Sequence, residues 1–205
     1  MSRHTREGSD MAEVRRFYLR ELGNSEVLAG AAFGKAILGN LIGQLSTAVS
    51  PEALVLDFKG VRVATGSFLR ETVIALRDYC RATQPNLYSV VSNAEESIKE
   101  ELALLLQDRN EVCVVCQLDD DGNFTNAELI GTLEEKQSMT LNAVLERGAA
   151  DANELHRSYK HTDDISMTGW NNRLASLAAK GVLMEFKQGK GKLYKPVLEG
   201  LKYGR

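Results

Sequence analysis

The side chains in this chain best placed to do chemistry are donors rather than nucleophiles. In the stretch ISMTGWNNRLASLAAKGVLMEFKQGKGKLYKP, residues 165–196, Thr168, Asn171, Asn172 and Arg173 fall within two helical turns, and Lys187, Lys190 and Lys192 follow close together. Such groups donate to phosphate oxygens and to base edges, and closely spaced ammonium groups displace the counterions of a polyanion. Two further hydroxyls, Thr65 and Ser67 in VATGSFL, stand where a helix is expected to begin. There a hydroxyl can cap free amides, or carry a phosphate that those amides and the helix dipole stabilise. No nucleophile has an adjacent base, which argues against an enzyme.

For the first group to act together, residues 165–196 must fold as helix, stop and hairpin. Ser166 suits the N-cap. Trp170, Leu174 and Leu177 recur at helical spacing as one apolar stripe. That stripe turns Thr168, Asn172, Ala175 and Ser176 outward and leaves Asn171 and Arg173 on the flanks. An ordinary solvated helix carries Glu and Lys on its outer face; this one carries neither there. Lys180-Gly181 ends the helix with a left-handed residue, and residues 182–186 and 193–197 read as strands around a QGKG turn. Upstream, residues 133–146 read as a helix with Leu141, Val144 and Leu145 inward. Asp151 and Glu154 form a capping box for a short helix ending at Tyr159, and residues 161–164 make the turn that follows.

The pattern RLASLAAKGVL followed by a basic, Gly-rich hairpin resembles the recognition helix and wing of bacterial winged-helix transcription regulators, over residues 133–200. The resemblance implies duplex DNA as partner. Ser166, Thr168, Asn171, Asn172 and Arg173 would meet the major groove, and Lys187, Lys190 and Lys192 the backbone or minor groove. It also admits, as the alternative, a protein-docking module, since winged helices serve both purposes; regulators of this type commonly bind as dimers, so a homodimer is expected.

Charge agrees with a nucleic-acid partner once its distribution is considered. The 205 residues sum to −3, yet residues 133–205 hold 12 Lys and Arg against 9 Asp and Glu, and residues 1–132 hold 13 against 19. Residues 180–205 alone hold 7 basic against 2 acidic side chains, so positive potential gathers at the hairpin and tail. No apolar run approaches the roughly 18 residues of a membrane span, and MSRHTREGSDM lacks the apolar core of a signal peptide. A cytoplasmic protein without membrane contact is expected. Three cysteines within apolar runs read as reduced, buried thiols.

The N-terminal part alternates strand and helix. Residues 14–19 read as a strand, 27–45 as a helix, 53–58 as a strand, 67–81 as an amphipathic helix and 87–91 as a strand. Asn93 with Glu96 reads as a capping box for a helix over 94–107, and 111–118 reads as a strand closed by the DDDGN turn. Residues 124–131 read as a hairpin strand leading into a linker. The glycines at 34, 39 and 43 match neither GxxxxGK[ST] nor GxGxxG, so close packing on a sheet is expected there. This alternation implies a small sheet with helices packed on it.

LVLDFKGVRVATGSFLRETVIAL resembles the central strand, loop and helix of STAS-like domains, the fold of bacterial anti-sigma-factor antagonists, over residues 12–118. In that family an aspartate ends a strand, a hydrophobic residue follows a short turn, and a Ser or Thr opens the next helix, where a partner kinase phosphorylates it. Asp57, Val61 and Ser67 stand at the matching places, although Ala64-Thr-Gly-Ser67 replaces the usual Asp-Ser-Ser-Gly. The resemblance implies a protein partner, such as a kinase-like ATPase or regulator, at Ser67 or Thr65.

Other constellations carry less. Cys113 and Cys116 have CxxC spacing, but in a strand they face opposite sides, and no second pair completes a zinc site. His4, His156 and His161 share no ligand spacing. Asp119–Asp121 opens like a calcium loop, yet Ile130 stands at the twelfth place. No metal or cofactor is expected. The expected fold class is an α/β STAS-like domain, a small mixed sheet with packed helices, followed by a C-terminal α+β winged helix. Its limits are a disordered 1–11, a STAS-like domain over 12–131 and a winged helix over 132–205. The expected function is DNA-binding transcription regulation, with a protein-interaction module in a partner-switching circuit as the alternative.

Overall fold

The computed structural model describes residues 15–160 and 165–204. The N-terminal disorder and the 161–164 turn expected from sequence, together with Val14, His4 and His161, lie outside the described residues. In chain order the elements are β1 (Arg15–Tyr18), α1 (Leu19–Gly23), β2 (Val27–Leu28), α2 (Ala31–Gln44), β3 (Glu52–Asp57) and β4 (Val63–Ala64). One unbroken helix follows, made of α3 (Gly66–Leu69), a π-helical turn (Arg70–Ile74) and α4 (Ala75–Thr83). Then come β5 (Leu87–Ser92), α5 (Glu96–Gln107), β6 (Val112–Leu118), β7 (Phe124–Gly131), α6 (Glu135–Leu145), α7 (Ala152–Tyr159), α8 (Met167–Ala179), β8 (Leu183–Gln188) and β9 (Gly191–Pro196).

A five-stranded sheet in the order β1-β3-β5-β6-β7 organises these elements. Its first four strands run parallel and β7 returns antiparallel to β6. Strand periodicity gives the sheet two apolar faces. In β6, Cys113 and Val115 join Leu54, Leu56 and Val91 under the N-terminal helices. Val112, Val114 and Cys116 face the other way, with Tyr88 and Val90. As expected for a strand, the two cysteines therefore sit on opposite faces.

The second face is covered from the C-terminal side: Leu141, Val144, Leu155, Trp170, Leu174, Leu177 and Tyr194 share one buried cluster with Tyr88, Val90, Val112 and Val114. This cluster draws on both sides of the boundary expected at residue 131. Polar contacts reinforce the junction. The Glu185 N–H donates to Tyr88 Oη at 3.0 Å, and Lys180 Nζ donates to the Asn110 carbonyl at 2.8 Å. Along β7, the Leu129 N–H donates to the Lys202 carbonyl and the Lys202 N–H to the Ala127 carbonyl, so the C-terminal tail occupies the middle of that sheet edge.

Three local expectations change. Residues 27–45 do not form one helix: Val27 and Leu28 pair with β4, Gly30 turns at φ +91°, and only then does α2 begin. A β-carbon on Gly34 would lie 2.9 Å from the Phe68 carbonyl oxygen, so Gly34 admits the helix over 66–83 rather than the sheet; Gly39 and Gly43 face open space. Thr72 Oγ1 donates to the Gly34 carbonyl at 3.0 Å, which sets the π-helical turn against this contact. Asn93 is not a cap. Its backbone is left-handed at φ +55° and its amide donates to Asp57 Oδ1 and the Leu118 carbonyl, so α5 starts after Glu95 instead.

Candidate nucleic-acid interface

Local chemistry builds α8 as expected. Ser166 is the N-cap, its Oγ accepting the Gly169 N–H at 3.1 Å. Trp170, Leu174 and Leu177 are fully buried, and Gly181 turns left-handed at φ +76° just past the helix. With the stripe inward, Ser166, Thr168, Asn171, Asn172, Ala175 and Ala179 are exposed. The helix contains no acidic residue, so nothing on it repels a phosphate.

Two residues, one from the flank and one from the outward face, are held more tightly than a helical projection indicates. The Arg173 guanidinium lies 5.7 Å from the Trp170 ring centre and its Nη1 is 3.8 Å from Met139 Sδ, so it leans towards α6. Ser176, expected to point outward, accepts from Gln137 Nε2 at 2.9 Å and ties α8 to α6. Gln137 also accepts the Glu134 N–H in the α6 capping box. Asn171 Nδ2 donates to the Met167 carbonyl at 3.2 Å while remaining exposed.

The hairpin completes the surface. β8 and β9 pair to their ends, Gln188 opposite Gly191, leaving Gly189 and Lys190 as a two-residue connection with Gly189 at φ +58°. On its far side β9 bonds through Tyr194 to Ala150, each donating its N–H to the other's carbonyl at 3.0 Å. Lys187 stands directly opposite Lys192, an arrangement that costs stability through like-charge repulsion. Lys192 Nζ is 2.8 Å from Glu185 Oε1, which offsets part of that cost. Lys187 and Lys190 are exposed. Tyr194 Oη donates to Glu185 Oε2 at 3.0 Å; burial first, then the Glu185 charge, pushes this phenol well above its ordinary range. The α8 face and the lysine turn thus belong to one unit, α6 to β9, braced by Trp170 against Tyr159 and by the Asp151–Glu154 capping box of α7.

The second candidate, at Thr65 and Ser67, resolves differently. Thr65 is the N-cap: its Oγ1 accepts the Phe68 N–H at 3.4 Å and the Gly30 N–H at 3.2 Å. Ser67 lies in the first turn, half-buried, with its Oγ 3.1 Å from Thr65 Oγ1. The Glu101 carboxylate reaches within 2.8 Å of where a Gly66 β-carbon would stand, placing negative charge beside this helix start. Asp57 ends β3 fully buried, accepting from Arg16 Nε at 2.7 Å, the Lys59 N–H at 2.8 Å and Asn93 Nδ2 at 2.9 Å. It fastens strand ends together.

Sequence reading missed a charged cluster beside α8, in which Arg77 and Arg81 meet Glu111. The i, i+4 spacing of the two arginines was the available signal. Among the described residues, no group of three His, Cys, Asp or Glu side chains could hold a metal ion, and no helix is long and apolar enough to cross a membrane. No protein-family model and no curated protein matches the chain.

Proposed function

We propose that the chain is a DNA-binding regulator whose C-terminal unit works as a winged helix and whose sheet unit, STAS-like in plan, receives a signal or a partner. In this reading α8 enters the major groove with Thr168, Asn171 and Asn172 towards the bases, and Lys187, Lys190 and Lys192 sit on the backbone or minor groove. Arg173 reaches a phosphate or base by leaving Trp170. The order α6, the Ala150 bridge, α7, α8, β8, β9 supports the winged-helix reading.

One observation carries the proposal. The exposed face of α8 is polar without being charged, and the hairpin that follows it in the chain carries a turn on which three lysines crowd. A solvated helix gains nothing from replacing Glu and Lys by Thr and Asn, and a hairpin gains nothing from opposed lysines; a polyanion lying across both relieves the repulsion. Anisotropy titration of labelled duplex DNA tests it. Affinity falls as salt rises if the reading holds, and absence of binding at low salt ends it.

The second reading, a protein-docking module, draws on a different surface. Val27 and Val63 face each other across the β2–β4 pair, 50% and 44% exposed, next to Thr65. A partner seated there would cover both. That reading predicts a protein complex unaffected by Lys190→Glu and Lys192→Glu, and Ser67→Asp would weaken the complex if Ser67 is a switch.

A further inference from the structure

We infer that the cleft between the helix over 66–83 and the α8–β8 corner binds a small anionic molecule with an apolar body. The cleft measures about 1040 Å³, at the upper end of the roughly 300–1,000 Å³ of ligand sites. Arg77 and Arg81 line one wall with the segment around Pro85 and Leu87; Ala175, Ala179 and Lys180 line the other, with Phe186 and Lys187.

Charge selects the ligand. Glu111 answers three cations around the cleft: Arg81 at 3.2 Å, Arg77 at 3.8 Å and Lys180 at 4.0 Å. Burial pushes the Glu111 carboxyl up, yet Arg81, Arg77 and Lys180 outweigh it and hold the group below its ordinary value. Asp78 is shared in turn among Arg77, Arg81 and Arg109. Four cations thus meet two carboxylates. Glu185, the other acid lining the cleft, is engaged by Lys192 and Tyr194.

Shape and contact supply the rest. Ala175 and Ala179 leave room on the α8 side, while Pro85, Leu87 and Phe186 offer apolar contact, and Val49 stands 98% exposed among the lining residues. Arg77 is 5% exposed, beyond the reach of a phosphate fixed on a rigid duplex, so the occupant is a small molecule bearing a carboxylate or phosphate. It would touch both the sheet unit and the helix assigned to DNA.

The test uses the full chain without DNA, so its failure and the failure of DNA binding are separate results. Phenyl phosphate is titrated into isotope-labelled protein and amide shifts are followed, with phenol as the uncharged control. Expected are saturating shifts confined to residues 77–89, 111 and 175–187 for phenyl phosphate and none for phenol. Lys180→Gln and Arg81→Gln each weaken binding about tenfold, the loss of one charge-assisted contact. Ala179→Phe, which keeps every charge and narrows the cleft on the α8 side, also weakens binding. Shifts that are absent at millimolar probe, scattered over surface lysines, equal for phenol, or unchanged in Ala179→Phe overturn the inference.

Discussion

Replacing Lys190 by alanine isolates the electrostatic claim most cleanly, because Lys190 occupies the exposed turn between β8 and β9 and supports no core contact. The structure sets the size of the effect. The turn offers Lys187 and Lys190 directly, and Lys192 once it exchanges Glu185, at 2.8 Å, for a phosphate. Each phosphate neutralised contributes about −0.9 to the slope of log K against log salt, so the turn accounts for roughly −1.8 to −2.7 of it. Over a fourfold rise in salt this amounts to roughly a 12- to 40-fold loss of affinity, of which Lys190 supplies a factor of about 3.5. Lys190→Ala is therefore expected to flatten the slope by about 0.9, with stability changed by less than about 0.5 kcal/mol. Anisotropy titrations of one duplex across a salt series measure the slope, with Lys35→Ala, exposed on α2, as a control that should leave it alone. A wild-type slope that Lys190→Ala does not alter, or that Lys35→Ala alters equally, refutes the assignment of the turn to the backbone.

Four further outcomes follow from the packing. Trp170→Ala should cost about 3–5 kcal/mol in urea unfolding, because the indole is fully buried and packs against Tyr159 of α7. Gly34→Ala should cost about 1–3 kcal/mol, since its β-carbon would meet the Phe68 carbonyl at 2.9 Å and push α2 off the helix over 66–83; the same assay checks it. Thr65→Ala should lose about 1 kcal/mol as a cap, with Ser67→Ala losing less, which separates capping from any signalling role. The lowered Glu111 pKa means that its stabilisation is complete above its ordinary value of 4.5 and fades as pH drops through the lower folded value. Glu111→Gln should accordingly flatten the acid limb of the stability curve, and thermal melts between pH 3 and 6 would reveal an unchanged limb if the Arg81 contact were idle.

What could be read from sequence was local. Ser166, Gly181 and the Asp151–Glu154 pair act within one turn of chain, so the residue types name their roles. Strand periodicity likewise separated Cys113 from Cys116, because a period of two needs no partner to be recognised. The misread residues answer to distant neighbours. Asn93 carries the signature of a cap, but Asp57 and Leu118, brought alongside by the sheet, claim its amide. Ser176 and Arg173 project correctly from the helix axis, yet Gln137 and Met139 of α6 decide where they point. The cleft has no signature in any one segment, since its walls are 92 residues apart in the chain at Leu87 and Ala179, and the π-helical turn follows from contact with Gly34.

The pairing of Lys202 with the middle of β7 bears on how two copies of the chain could associate. A strand margin whose amides and carbonyls at Ala127 and Leu129 are already bonded to the molecule's own tail offers no template for an incoming strand at that point. Lateral continuation of the sheet from one subunit into another is shut off there, which leaves the β1 edge, the helices and the hairpin as the surfaces through which a symmetric pair could meet. Which of those surfaces meets its twin then fixes the spacing at which two copies of α8 can present themselves to a single target.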